Sequence, residues 1–114
     1  MWLLLIAIAA ICNAISDTLQ HHFGVSVFRN LDENQWNPVH SWDNKYTDKW
    51  WVPDALTDWF HRFKMAWIIL LMSAIVFYDP VFPQWWINLP AAGTVWNLTF
   101  SLFYGKLLIT KKKL

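Results

Sequence analysis

Asn13-Ala14-Ile15-Ser16-Asp17-Thr18-Leu19-Gln20-His21-His22 closes an apolar run that begins at Met1. Residues 1–16 carry no charged side chain. Extended through Leu19 they make 19 residues, close to the roughly 20 that cross a bilayer as a helix. A signal peptide is the rival reading, but the basic residues that precede its apolar core are missing. Ile11 before Cys12 is too bulky for a lipoprotein cleavage site. The run is therefore expected to remain in the protein as a first transmembrane helix, about 1–20, with a carboxylate and two imidazoles where it leaves the membrane.

The same chemistry returns in reverse order. Asp58-Trp59-Phe60-His61 introduces a second apolar run, Met65 to Tyr78. Its 14 uncharged residues rise about 21 Å as a helix, short of a core about 30 Å thick. A start near Asp54 repairs the shortfall. Pro53 suits a first turn, an acidic residue there complements the helix dipole, and Arg62 and Lys64 reach the interface along their stems. The second span is thus expected over 54–78. A proline-rich connection follows at 79–90, anchored by Trp85 and Trp86. An uncharged segment from Ala91 to Gly105, extended past Lys106, gives a third span at 91–110. Between the first two spans, residues 21–53 are polar and turn-rich, with Asn37-Pro38 as a turn signal. They also hold Trp36, Trp42, Trp50 and Trp51, too many rings for a loose linker. An ordered loop is expected there, lying on the membrane surface with its indoles at headgroup depth.

Composition agrees with this all-α membrane architecture. Of 114 residues, 56% are apolar and 15% charged, and ten are Trp, against roughly 45–50% apolar and about 25% charged in soluble chains. A net charge of +1 and the lack of a basic-aromatic module give no reason to expect a nucleic-acid partner. Cys12 is the one cysteine and reads as a small buried hydrophobe. All nine Lys and Arg fall on one side of the three-span arrangement. The positive-inside rule then places the 21–53 loop and the C-terminus in the cytoplasm, with the N-terminus outside.

Helical spacing selects faces. Asn13, Asp17 and His21 recur every four residues; Asp58 and His61 are three apart; Thr94, Asn97, Ser101 and Tyr104 follow at three, four and three. Polar groups within a membrane face the bundle interior, so these stripes are expected to converge on a cytoplasm-facing pocket. Its sharpest reading is a divalent metal site of Asp17, His21, Asp58 and His61, a donor set that suits Zn, Fe or Mn. Asn13, His22, Asn97, Ser101 and Tyr104 would line the pocket behind it. A metal-bound water would then act on a lipid or lipid-linked substrate as a hydrolase. The plainer reading is a structural clasp, in which Asp17 and Asp58 cap or pair with Arg62, Lys64 or a histidine. His40 reads as a loop residue. No nucleophile motif, glycine-rich phosphate loop or Cys-based metal spacing is present.

Asp17-Thr18-Leu19-Gln20-His21-His22-Phe23, Trp36-Asn37-Pro38, Ser41-Trp42-Asp43-Asn44-Lys45-Tyr46 and Thr57-Asp58-Trp59-Phe60-His61-Arg62-Phe63-Lys64 resemble a group of small bacterial, Bacteroidetes-type integral membrane proteins. The resemblance covers most of residues 13–64. It implies membrane location and bacterial origin, and it attaches no activity. Signatures of membrane lipid phosphatases and alcohol phosphotransferases are absent. The function expected from the residues is a metal-dependent membrane hydrolase. Its competitor is a non-catalytic subunit or assembly factor that meets the bilayer and a membrane-protein partner or a second copy. A transporter or channel is the third option and would need oligomerisation.

Overall fold

A computed structural model describes residues 1–40 and 58–110. Helix makes up 77% of these residues and no strand is formed, so the fold is all-α. The first helix, α1 (Trp2–His22), covers the first apolar run and ends two residues past the expected 20. Its 21 residues rise about 31 Å. A 3-10 turn, Phe23–Val25, follows it. The short α2 (Glu33–Trp36) is capped by Asp32, whose side chain accepts from the Asn34 backbone N–H at 3.1 Å. Asn37 ends it and bridges to a 3-10 turn at Pro38–His40, accepting the Val39 N–H on its Oδ1.

Helix α3 (Trp59–Val76) begins later than expected. Asp58 has extended backbone angles, φ −161° and ψ 174°, and is the N-cap. A helix running unbroken from Asp54 is thereby corrected; residues 54–57, like Trp42, Trp50 and Trp51, lie outside the described residues. Helix α4 (Trp85–Leu102) begins earlier than the expected 91 and contains Pro90. Proline removes one N–H and leaves the Trp86 carbonyl without its usual donor, a small loss so close to the start of a helix. At the other end α4 stops at Leu102 and loosens into a π-helical turn, Phe103–Leu107.

The expected continuation to residue 110 gives way to tertiary pairing. Val27 N donates to the Leu108 carbonyl and Thr110 N to the Val25 carbonyl, both at 2.9 Å. This short antiparallel bridge of Ser26 with Ile109 ties the end of α4 to the turn after α1. Ser26 is buried, donates to the Phe23 carbonyl and accepts the Phe28 N–H. Arg29 donates to the Ser26 carbonyl and to Thr110 Oγ1. The backbone at 25–27 and 108–110 thus satisfies its polar groups across the chain rather than within a helix.

The helices form a thin layer with α1 in the middle. The molecule is 16 Å through its shortest dimension, little more than the roughly 10–12 Å diameter of one helix. Helix α1 packs against both α3 and α4. The fully covered Ala9, Ala10 and Ala14, with Ser16 and Thr18, let the neighbours approach on two sides. Helices α3 and α4 meet through the rings of Trp67 and Trp96, 6.2 Å apart and edge to face. Trp2 meets Tyr78 at one edge of the layer, 4.9 Å between ring centres. His22 meets Tyr104 at the other, at 5.4 Å. Helices α1 and α4 therefore run the same way and α3 runs against them.

Two helical segments, Trp2–Val25 and Trp59–Val76, are long and apolar enough to cross a membrane. Only 11% of the α3 segment is buried. Met65, Ile69, Met72, Ile75 and Val76 stand exposed along it. A core helix of a soluble domain would be covered, and soluble monomers rarely leave so continuous an apolar wall bare. Helix α4 has the same length as α3, 18 residues, but is interrupted by Asn88, Thr94, Asn97, Thr99 and Ser101.

Candidate functional site

The polar residues gather at the edge where α1 ends, α3 begins and α4 ends. A ring ladder organises this edge. Phe28 stacks on Trp36 (5.3 Å, 13° between planes) and Trp36 on Trp59 (5.2 Å, 20°). The Arg62 guanidinium lies over the Trp59 ring, 4.6 Å from its centre, a cation–π contact. Phe63 flanks both indoles. Helix α2 is just long enough to present the Trp36 ring to the first turn of α3. Trp36→Ala is expected to cost about 2 kcal/mol by removing two stacked pairs. Limited proteolysis should then cut within residues 26–40 while circular dichroism retains the helix signal of α1 and α3.

Asp58 is fully buried. Its Oδ1 accepts the His61 backbone N–H at 2.9 Å and lies 2.8 Å from His61 Nδ1. One carboxylate oxygen thus caps α3 and orients the imidazole three residues on. The charge sits at the positive end of the helix, where it is stabilised. His61 is a quarter exposed and borders a cavity of about 380 Å³ with Gln20, Asn37, Pro38, Val39 and Phe60. A second cavity, about 480 Å³ and wholly apolar in character, lies at the opposite edge between Trp2, Ile6, Leu71, Tyr78, Leu89 and Ala92.

Among the described residues, no three His, Cys, Asp or Glu side chains come close enough together to hold a metal ion. Asp58 and His61 do meet, as a cap. His21 is exposed at the end of α1 and Asp17 half-buried one turn earlier. The two pairs are not assembled into the expected four-ligand group. His22 and Tyr104, expected to line the same pocket, are brought together, and Asn13 is half-buried on α1. Asn97 and Ser101 are not part of that convergence. Both are exposed, on the side of α4 away from α1. Thr94 is exposed too, and its hydroxyl donates back to the Pro90 carbonyl at 2.8 Å. His40 sits 3.8 Å from a Glu33 carboxylate oxygen, in keeping with a loop role.

No family model matches the chain, and no curated protein or solved structure is similar to it. The reading of the site therefore rests on its own geometry.

One polar residue escaped the sequence reading altogether. Asn88 is buried on the first turns of α4. Its Oδ1 accepts the N–H groups of Val81 and Phe82, at 3.0 and 3.2 Å. Its Nδ2 donates to the carbonyls of Phe82 and Gln84, at 3.1 and 3.3 Å. All the usual partners of a carboxamide are present, and the whole 81–84 turn is fixed to the helix by one side chain. Four residues separate Asn88 from Gln84, a spacing visible in sequence, but the amide's partners are backbone groups and leave no mark in residue type.

Proposed function

We propose that this chain is a three-span protein of a bacterial inner membrane, N-terminus periplasmic and C-terminus cytoplasmic, that acts as a non-catalytic subunit or assembly factor of a larger membrane complex. The observation that carries this reading over a metal-dependent hydrolase is the engagement of Asp58. The residue with most to offer a metal or a substrate is fully buried, bonded to His61, and holds the start of α3. The bare apolar wall of α3 supports the membrane setting. Arg29, Arg62, Lys64 and Lys106 all lie at the edge shared by the ends of α1 and α4 and the start of α3, which supports that edge as the cytoplasmic one.

The test compares Asp58→Ala with His61→Ala in purified, detergent-solubilised protein, reading thermal stability and bound Zn, Fe and Mn. A cap predicts asymmetry. Asp58→Ala should cost about 1–2 kcal/mol, because the α3 N-terminus loses its acceptor. His61→Ala should cost less, because its backbone N–H still reaches the carboxylate. Metal content should be negligible in the wild type and in both variants. Near-stoichiometric metal in the wild type, lost equally in both variants, would overturn the reading and restore the hydrolase.

A further inference from the structure

The apolar cavity at the Trp2 edge is a cleft between α3 and α4. Trp2 and Ile6 of α1 form its floor, Leu71 and Ala74 one wall, and Leu89 and Ala92 the other. It holds about 480 Å³, within the roughly 300–1,000 Å³ of pockets that take small molecules. Ala74 and Ala92, one on each wall, leave a gap that larger side chains would fill. One turn further in, the rings of Trp67 and Trp96 join the two helices and close that gap. From Trp67 to the end of α3 at Val76 is nine residues, a rise of about 14 Å. One leaflet, half of a hydrocarbon core about 30 Å thick, is about 15 Å deep. At the mouth, Ile75 and Leu89 are 77% and 70% exposed, so the cleft opens past them onto the outside of the layer. One buried donor borders it. Trp2 is 6% exposed, and its Nε1–H has no hydrogen-bond partner among the described residues. An indole N–H can only donate, and burying it without an acceptor is costly. Walls of alkyl side chains offer it none.

From the cleft and this donor we infer that the site seats one acyl chain of a membrane lipid, whose ester carbonyl accepts from Trp2 Nε1. The inference rests on the reading that α1 and α3 cross the membrane. The alkyl walls suit a hydrocarbon chain, and their depth is that of one leaflet. The donor belongs to the second residue of the chain, at the first turn of α1. That is the boundary between hydrocarbon and headgroups, where tryptophan gathers and where the ester joining a lipid chain to its glycerol lies. A mouth on the outside of the layer admits the lipid from the bilayer itself. The nitrogen is closed to water as the helices stand, so seating the ester turns the indole slightly into the cleft it lines. A helix of a second copy fits less well. It would bring alkyl side chains to the walls, but its carbonyls are already bonded within the helix, and the Trp2 donor would stay unpaired.

The experiment titrates the full chain in detergent with dipalmitoyl phosphatidylglycerol and with its dihexadecyl ether analogue, reading bound lipid by native mass spectrometry. The two lipids share headgroup and chain length, and only the first has ester carbonyls. One ester lipid per chain is expected, held about fivefold more tightly than the ether, the size of one net hydrogen bond. Trp2→Phe should bring that ratio to one while ether binding persists. Ala92→Leu should fill the cleft and release both lipids, and so should Ile75→Trp, made from an exposed position on the other wall. A wild-type ratio of one would overturn the inference. So would a ratio that survives Trp2→Phe, or a filled variant that keeps both its helix signal and its lipid. A wild type that dimerises and retains no lipid would assign the cleft to a second copy and overturn it as well. Impermeant thiol labelling of Val39→Cys and Val81→Cys in lipid vesicles, with Cys12→Ala as background, reports separately on the spans. Labelling from the same side of the bilayer would remove the membrane-crossing reading and this inference with it. Labelling from opposite sides with an ester-to-ether ratio of one would remove the lipid seat alone.

Discussion

Replacing Asn88 by Leu is expected to destabilise the protein by about 2–4 kcal/mol. The substitution keeps the number and branching of the side-chain heavy atoms, so most of the loss is polar. The carboxamide bonds two N–H groups and two carbonyls of the 81–84 turn. Orphaning one buried backbone group costs about 1–3 kcal/mol. Four such groups would exceed the range given, but Val81 and Phe82 are themselves exposed, and water or headgroups replace part of what is lost. Asn88→Asp separates the two halves of the bracket. The carboxylate still accepts from Val81 and Phe82, while it faces the carbonyls of Phe82 and Gln84 with no proton to offer. Its stability should fall between wild type and Asn88→Leu, and closer to wild type at low pH, where a protonated carboxyl can donate once. Unfolding midpoints of the three proteins in detergent, at pH 4.5 and pH 7.5, check the order. Equal stability of Asn88→Leu and wild type would mean that the turn is held by something other than this side chain.

What could be read from the sequence and what could not follows from how local each signal is. The limits of α1 as a helix were legible, since the apolar run from Met1 ends in the polar Gln20, His21 and His22. The start of α3 was not. Asp54 after Pro53 and Asp58 before Trp59 are both chemically suitable caps, and the choice is made by the carboxylate's reach to the His61 N–H. Pro90 suggested a break between a connection and a helix. Within the first turns of α4 it removes a single hydrogen bond, and the helix keeps Trp85 and Trp86. The end of α4 was hidden for another reason: residues 108–110 bond to residues 25–27, and no local pattern records a partner more than eighty positions away. The candidate site shows the limit of periodicity. Spacing of three and four established that Thr94, Asn97 and Ser101 share a face, and that Asp58 lies near His61. It could not say whether the α4 face looks toward α1 or away, because that depends on which side α1 covers. Asn88, Ala92, Val95 and Thr99 form an equally good stripe, and that is the less exposed one.

Ala10→Leu and Ala14→Leu test the contact on which the layer depends, and together they should have the largest effect on the fold. Both alanines are completely covered and stand one turn apart on α1, so they set how near a neighbouring helix can come. Each substitution adds three carbons to a site with no free volume. Overpacking of this kind typically costs about 1–3 kcal/mol per site. Because the two sites share one helix face, their effects are coupled rather than additive. Once one leucine has forced a neighbour outward, the second meets less resistance, so the double variant should cost less than the sum of the singles. The separation itself should be visible, since Trp67 and Trp96 touch only while α3 and α4 are both drawn in against α1. Tryptophan emission and accessibility to an apolar quencher should rise together as stability falls. Ile8→Leu, at a partly exposed position on the same helix, is the control and should change stability by less than about 0.5 kcal/mol. If Ala10→Leu behaves like Ile8→Leu, α1 is not clasped between its neighbours. If the double variant costs the full sum of the singles, the two alanines face different helices and each holds its own side of the layer.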